Sequence, residues 1–447
     1  MRKTKQNKYR PDLNVKSTLY VKLHSRISGV RFQFINDKHN LDGTLAVDLS
    51  KYIGKLDEKE LDLVGAAALL VVAGLFIPSS IVIQWDSNAA RCIEFSKILQ
   101  ILYNVRAYCA KIPIFFPSVT IQSSNNKKET GLPKIVSDSC FSSRSTIFSH
   151  MVLFSGGIDS TYSMLRLLKE GYKPLALFLG ANSDTRELEW EASRRIASKL
   201  GVELLRCDFE IKGFPKKGAD PDIWPQFGQF PYYNSIPHGR DILSAAIASI
   251  ITRRMNIRFI AFGQEKESRE KTIFYRGRKI LRHDIESREG SKILNSWLNR
   301  CLGYDFNLFS PIESFSIEEI RLDMINRYPD LLSMTQSCFW ERLCCKCVKC
   351  ISLYLMQRVT GNEIVKFPIN PLADPTNLDL ADAVDSDIPD NEIGYGVQIR
   401  RGIQKIIEKR TYTEQDYWIL RAIEKPFPPN YISPKAKTIA HAPSPRP

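Results

Sequence analysis

The chain has no apolar run long enough to cross a bilayer. Its longest, Leu63 to Ile77, covers 15 residues and stops at Pro78, where a spanning helix needs about 20. A buried core helix is expected there instead, and no membrane contact is expected. The N-terminus, Met1-Arg-Lys-Thr-Lys-Gln-Asn-Lys, is basic and lacks the apolar stretch of a secretory signal. There is no long block of Lys and Arg, no evident aromatic-basic ribbon and no internal repeat. Acidic residues are the scarcer charge, 49 against 63 basic, which leaves a net +14. That surplus suits an anionic ligand or an acidic protein as well as nucleic acid, so it permits a nucleic-acid partner without favouring one. Of ten cysteines, five crowd between 338 and 350, a distribution that fits a metal cluster in a reducing cytoplasm better than a disulfide framework. A chain of 447 residues is long enough for two or three domains.

What is present begins with Met151-Val-Leu-Phe-Ser-Gly-Gly-Ile-Asp-Ser-Thr161. Met151 to Phe154 reads as a buried strand, Ser155-Gly156-Gly157 as a tight turn, and Asp159, Ser160 and Thr161 as N-cap chemistry for a helix running to about Glu170. Gly171 stands where a left-handed residue would end that helix. A strand, a glycine turn and a helix N-terminus together favour a phosphate, because free amides and the helix dipole both face the anion. The Lys of a Walker A loop and the third Gly of a dinucleotide fingerprint are both missing.

Upstream, Thr18–His24, Val30–Phe34 and Thr44–Asp48 read as strands, Asp57–Ile77 as the buried helix, Ile81–Trp85 as a strand, Arg91–Cys109 as a helix and Ile112–Gln122 as a strand. Residues 123–147, rich in Ser, Asn and Lys, read as a linker and domain boundary. Downstream the pattern is strand–helix–strand: strands Lys173–Leu179, Val202–Asp208 and Phe259–Phe262, and helices Arg186–Leu200 and Asp241–Met255. A loop from Lys216 to Pro237 carries Trp224, Phe227, Phe230, Tyr232 and Tyr233. This alternation predicts an α/β fold with a doubly wound parallel sheet and a ligand at the strands' carboxyl ends. The expected organisation is an α+β accessory domain over 1–148, a nucleotide-binding domain over 149–361 and a helical, Pro-rich extension over 362–447. In the extension, Val397–Arg410 and Tyr412–Glu424 read as helices and the stretch from Pro426 as extended.

The second motif is Cys344-x-x-Cys347-x-x-Cys350 with Cys338 upstream. Four thiolates hold Zn²⁺ in a closed tetrahedral shell, so a structural ion is expected. Cys345 leaves one ligand position open between itself and Cys344.

The Ser-Gly-Gly-Ile-Asp-Ser loop resembles that of the PP-loop ATP pyrophosphatases. Together with the cysteine motif it resembles the QueC family of 7-cyano-7-deazaguanine synthases over residues 150–361, about half the chain. His238-Gly239-Arg240-Asp241, Gly263-Gln264-Glu265, the segment from Phe309 and Gln336-Ser-Cys338 match family segments in part. The chain departs from the family at Asp241, at the short gap after Cys338, and around Gly180–Thr185. Its extra regions resemble the enlarged QueC-like proteins of bacterial anti-phage systems. The resemblance implies a cytoplasmic ATP-dependent ligase that adenylates a carboxylated deazaguanine and transfers it to an amine, with a protein from the same operon as a partner. It implies ATP, Mg²⁺ and Zn²⁺. ATP would meet Leu153, Phe154, Ser155, Gly156, Gly157, Asp159, Ser160 and Gly263. Ser155, Asp159 and Arg240 would serve catalysis. Arg240, Asp241 and Gln264 would bind substrate, and Cys338, Cys344, Cys347 and Cys350 would hold zinc. A synthase acting on ammonia and a tRNA-modifying enzyme remain alternatives.

Overall fold

A computed structural model describes residues 17–24, 29–36, 40–47, 56–76, 78–110, 116–122, 148–180, 186–212, 240–270, 272–281, 283–336, 338, 343–372 and 395–409. Strands β1 (Ser17–His24), β2 (Gly29–Asn36) and β3 (Asn40–Val47) come first. Helix α1 (Glu58–Phe76), β4 (Ser80–Ile83), helices α2 (Asn88–Arg91) and α3 (Ile93–Ala110), and β5 (Ser118–Ile121) follow. Strands and helices then alternate: β6 (His150–Leu153), α4 (Ile158–Lys169), β7 (Pro174–Gly180), α5 (Arg186–Leu200), β8 (Leu204–Lys212), α6 (Arg240–Arg254) and β9 (Phe259–Ala261). The short helix α7 (Lys266–Glu270) leads to a hairpin, β10 (Thr272–Tyr275) and β11 (Arg278–Leu281). Helix α8 (Arg288–Leu302), β12 (Asn307–Phe309), and helices α9 (Ile317–Arg327), α10 (Pro329–Met334), α11 (Val348–Thr360) and α12 (Tyr395–Lys409) complete the described elements.

All strands except the hairpin's join one sheet in the order β12-β9-β6-β7-β8-β3-β2-β1-β4-β5. From β12 to β8 the strands are parallel. At β6 the chain steps outward to β7 and β8, then returns to place β9 on the other side of β6. The carboxyl ends of β6 and β9 therefore flank a topological switch point, the crevice where open α/β sheets take ligands. Side chains of β6 alternate between two cores. Met151 belongs to the one built with α1, α6 and α8, and Val152 to the one built with α4, α5, α9 and α11.

The N-terminal strands extend this same sheet. Val47 to Thr44 of β3 pair antiparallel with Phe209 to Lys212 of β8. Helix α1 is apolar nearly all round, and such a helix must be covered on every side. Its residues from Leu63 to Ala73 are buried, Gly65 included only as backbone, in the core that also takes Ile242, Ile250 and Trp297. Asp57 and Glu60 close its N-terminus reciprocally, each accepting the other's backbone N–H at 2.9–3.0 Å. The same two carboxylates accept from Arg253 and Arg254 of α6, and Glu60 is fully buried. The described residues within 17–121 and 150–309 thus share a sheet and a core, whereas the boundary expected at 123–147 lies outside the described residues. The aromatic loop at 216–237, the helix expected at Tyr412–Glu424 and the stretch from Pro426 lie outside them too.

The helix expected over Arg91–Cys109 is α3, and the short α2, capped by Ser87, precedes it, with the extended Cys92 between the two. One local reading is corrected. The cap of α4 is Gly157, with no side-chain hydrogen bond, while Asp159, Ser160 and Thr161 lie inside the helix.

Candidate functional site

The turn after β6 is held by its neighbours and by Ser155, whose Oγ accepts from Gly157 N at 3.4 Å. Phe154 is buried and donates its N–H to Leu177 O at 2.8 Å. Its carbonyl accepts from Ser193 Oγ of α5 at 3.3 Å. Gly156 has φ +70°, and a Cβ there would stand 2.6 Å from Ser193 N, so glycine is required for both conformation and space. The Gly156 carbonyl accepts from Gln336 N at 2.9 Å. Ser155 is exposed, and its Oγ lies 3.3 Å from Ser160 Oγ. Ser160 Oγ donates to Gly157 O at 3.2 Å.

Because Gly157 caps α4 without a side chain, no oxygen of the cap competes for the first amides of the helix. The α4 N-terminus therefore keeps its anion-binding capacity. The β9 turn closes over it: a Cβ on Gly263 would come 3.0 Å from both Asp159 C and Ser160 N. Leu153, Phe154, Ser155, Gly156, Gly157, Asp159, Ser160 and Gly263 accordingly occupy one corner of the switch point.

A line of carboxylates leads away from that corner. Burial, then the charge of Asp159, pushes Glu265 up to about 7. Burial, then the charge and hydrogen bond of Asp241, holds Glu286 well above the ordinary carboxylate range, and Glu265 adds to the effect. Asp241 lies in the first turn of α6. Arg240 opens that helix, and its side chain lies outside the described ones. Gln264 is buried, its Oε1 accepting from Arg269 Nη1 at 3.1 Å. Arg269, itself buried, also pairs with Glu313 at 3.0 Å. Gln264 is thus hydrogen-bonded within the protein through its Oε1.

The four cysteines Cys338, Cys344, Cys347 and Cys350 meet with all their sulfurs within 4.8 Å of one another. Zn–S bonds of about 2.3 Å at tetrahedral angles put sulfurs roughly 3.8 Å apart, and Cys344 Sγ and Cys350 Sγ are 4.0 Å apart. Backbone N–H groups of Lys346 and Cys347 donate to Cys344 Sγ at 3.4 and 3.2 Å, and that of Cys344 to Cys338 Sγ at 3.3 Å. Amides pointed at sulfur in this way offset thiolate charge. Cys345 is buried with φ +58°, and its Sγ donates to Leu343 O at 3.8 Å, outside the cluster. Geometry therefore selects Cys344. The donor set is soft, four-fold and closed, which fits a structural zinc ion.

Gln336 joins the two centres. Its N–H reaches Gly156, and its Nε2 donates to Cys338 O at 3.2 Å.

No protein-family model and no curated protein matches this chain. A solved structure described as the predicted subunit of a tRNA methyltransferase from Methanocaldococcus jannaschii DSM aligns with 42% of this chain and 85% of its own, at 16% identity and a TM-score of 0.25. A likeness that low adds nothing to the reading of the site. What the coordinates show is an α/β protein with a parallel sheet, a glycine turn at its switch point and a zinc-compatible cysteine cluster. Among the described residues no helix is long and apolar enough to cross a membrane.

Sequence reasoning missed Glu265, Glu286 and Gln336 as parts of the site. Glu265 had a local signal, an acid directly after the Gly263 turn. Glu286 had none, because it meets Asp241 from 45 positions away.

Proposed function

We propose that the protein is an ATP-dependent ligase of the PP-loop type, which activates the carboxylate of a carboxylated deazaguanine as its adenylate and passes it to an amine. The observation that carries this reading is the side-chain-free cap of α4 at the β6/β9 switch point, beside the Asp159–Glu265 pair. A carboxylate is a poor electrophile, since its charge repels nucleophiles and oxide leaves badly. Attack on the α-phosphorus of ATP cures both faults by making AMP the leaving group. Ser155, Gly156, Gly157 and Ser160 would cradle the departing pyrophosphate, with amides aimed where charge develops. Magnesium supplies charge compensation on the phosphates, and Asp159 with Glu265 is the hard oxygen pair suited to hold it. Arg240 suits a phosphate or the substrate carboxylate through its guanidinium fork. Asp241 and Glu286 offer acceptors for ring N–H groups of the base. Zinc, held by Cys338, Cys344, Cys347 and Cys350, would serve the fold.

The amine is proposed to come from a protein encoded in the same operon, in an anti-phage setting, with the remaining parts of 1–148 and the tail from Asn362 as its dock. The test is pyrophosphate release with 7-carboxy-7-deazaguanine and ATP, followed by intact-mass measurement of operon partners. Asp159→Ala and Ser155→Ala should each abolish turnover while leaving the fold intact by circular dichroism. Near wild-type release in both variants would sink the site assignment. Efficient conversion with ammonia to the nitrile, and no mass gain on any partner, would make the protein an ordinary synthase.

A further inference from the structure

The hairpin β10–β11 carries a combination of side chains that the ATP site does not use. Its register pairs Phe274 with Lys279 and Tyr275 with Arg278 across the two strands. Alternation puts Ile280 inward, 1% exposed, and Phe274 outward, 78% exposed. Phe274 is the most exposed large apolar side chain among the described residues. Its surroundings are cationic: Arg276, Arg278 and Lys279 are all exposed, and no acidic residue occurs between Thr272 and Leu281. Arg276 and Gly277 form a tight two-residue turn with φ +50° and +76°, the backbone that a twisted hairpin needs. That turn throws Arg276 back over the Tyr275 ring, 5.4 Å from its centroid, inside the reach of about 6 Å for a cation–π contact. Among the described residues none of these three cations makes an ion pair.

We propose that this hairpin docks a single-stranded nucleic acid. An outward aromatic ring flanked by unpaired cations matches the chemistry of such a strand, whose bases expose flat faces at intervals along a chain of phosphates. Phe274 stacks on a base, Lys279 on the same face meets a phosphate, and Arg276 and Arg278, exposed at the hairpin tip, meet its neighbours along the strand. A duplex hides the base faces that Phe274 would need, and an acidic peptide offers charge without them. The net charge of +14 supports the same polyanion at longer range. In the chain the hairpin follows Glu265 and Arg269 and leads on to Glu286. The inference stands independently of the ATP chemistry, because its test reads binding without ATP.

The experiment is fluorescence anisotropy of the full chain with a labelled mixed-sequence single-stranded RNA of about 20 nucleotides, with matched DNA and duplex arms and a poly-glutamate competitor. Phe274→Ser should weaken binding about 5- to 100-fold, the loss expected for one stacked base. Arg278→Gln and Lys279→Gln should each flatten the dependence of log affinity on log salt by about 0.7, one phosphate apiece. Melting and pyrophosphate release should stay at wild-type levels, since the altered side chains are exposed and outside the ATP corner. Absence of binding at low salt, or binding that all three variants retain, would overturn the proposal. So would a duplex bound more tightly than the single strand. Competition by poly-glutamate as strong as by unlabelled RNA would assign the hairpin to an acidic protein instead.

Discussion

Glu265 stands next to Asp159, and burial with that neighbour's charge holds its carboxyl up to about 7 instead of 4.5. The folded protein therefore binds a proton between those values that the unfolded chain releases. Stability from this group is fully present below about 4.5 and is lost as pH rises through 7. Glu265→Gln keeps the shape and removes the titration. In metal-free buffer without ATP the variant should gain on the order of 1–3 kcal/mol above neutrality, with no gain in acid. The check is thermal melting from pH 4 to 9; a wild-type slope in the variant would show that Glu265 is not the titrating group. Glu286, raised in the same direction by burial and Asp241, accounts for whatever slope remains. Gly263→Ala probes the same corner by size. Its added carbon meets the backbone of Asp159 and Ser160 at 3.0 Å, so the β9 turn must shift off the α4 N-terminus. Pyrophosphate release should fall at least tenfold, with a modest loss of stability measured by denaturation.

Among elements, the cysteine knuckle and the glycine turn are mechanically joined through Gln336, which bonds to Gly156 on one side and to Cys338 on the other. Cys350→Ser should therefore lose the ion, lower solubility and slow ATP turnover together, because metal binding free energy is folding free energy. Cys345→Ser should keep one zinc per chain by elemental analysis, as its sulfur bonds to Leu343 O and not to the cluster. Zinc lost equally from both variants would mean that Cys345 is a ligand. The elements that could be read from the sequence are those written in contiguous residues: β6, the Ser155–Gly157 turn, α4 with its Gly171 stop, and the buried run of α1. The hairpin escaped because Thr272 to Leu281 mixes aromatics with Arg and Lys, and its period-two pattern places Phe274 on the solvent side. Helices α8 to α11 escaped too. Their signals, such as Ser287 capping α8 and the Ser316–Glu319 capping box of α9, are short and depend on the core they meet.

At the scale of the molecule, β3 against β8 and α1 against α6 turn what reads as an appended domain into part of one core. No pattern in the sequence announces this, because a strand pairing across 162 to 168 positions leaves no periodic trace; Val47 meets Phe209 only in the fold. The consequence is testable by truncation. A chain starting at Phe148 would leave the β8 edge from Phe209 to Lys212 unpaired, an invitation to aggregate. It would uncover the face of α6 that carries Ile242, Ala246 and Ile250, now shared with α1. It would also strip Arg253 and Arg254 of Asp57 and Glu60. Loss of the Glu60 carboxylate alone should cost on the order of 3 kcal/mol, since it leaves guanidinium groups without their buried partner. The truncated chain should be insoluble when expressed alone and recover solubility when residues 1–122 are supplied in trans, with both pieces eluting together. A soluble monomer that melts within a few degrees of the full chain would mean that the N-terminal strands are dispensable to the core. Their whole surface would then be free for the docking role proposed above.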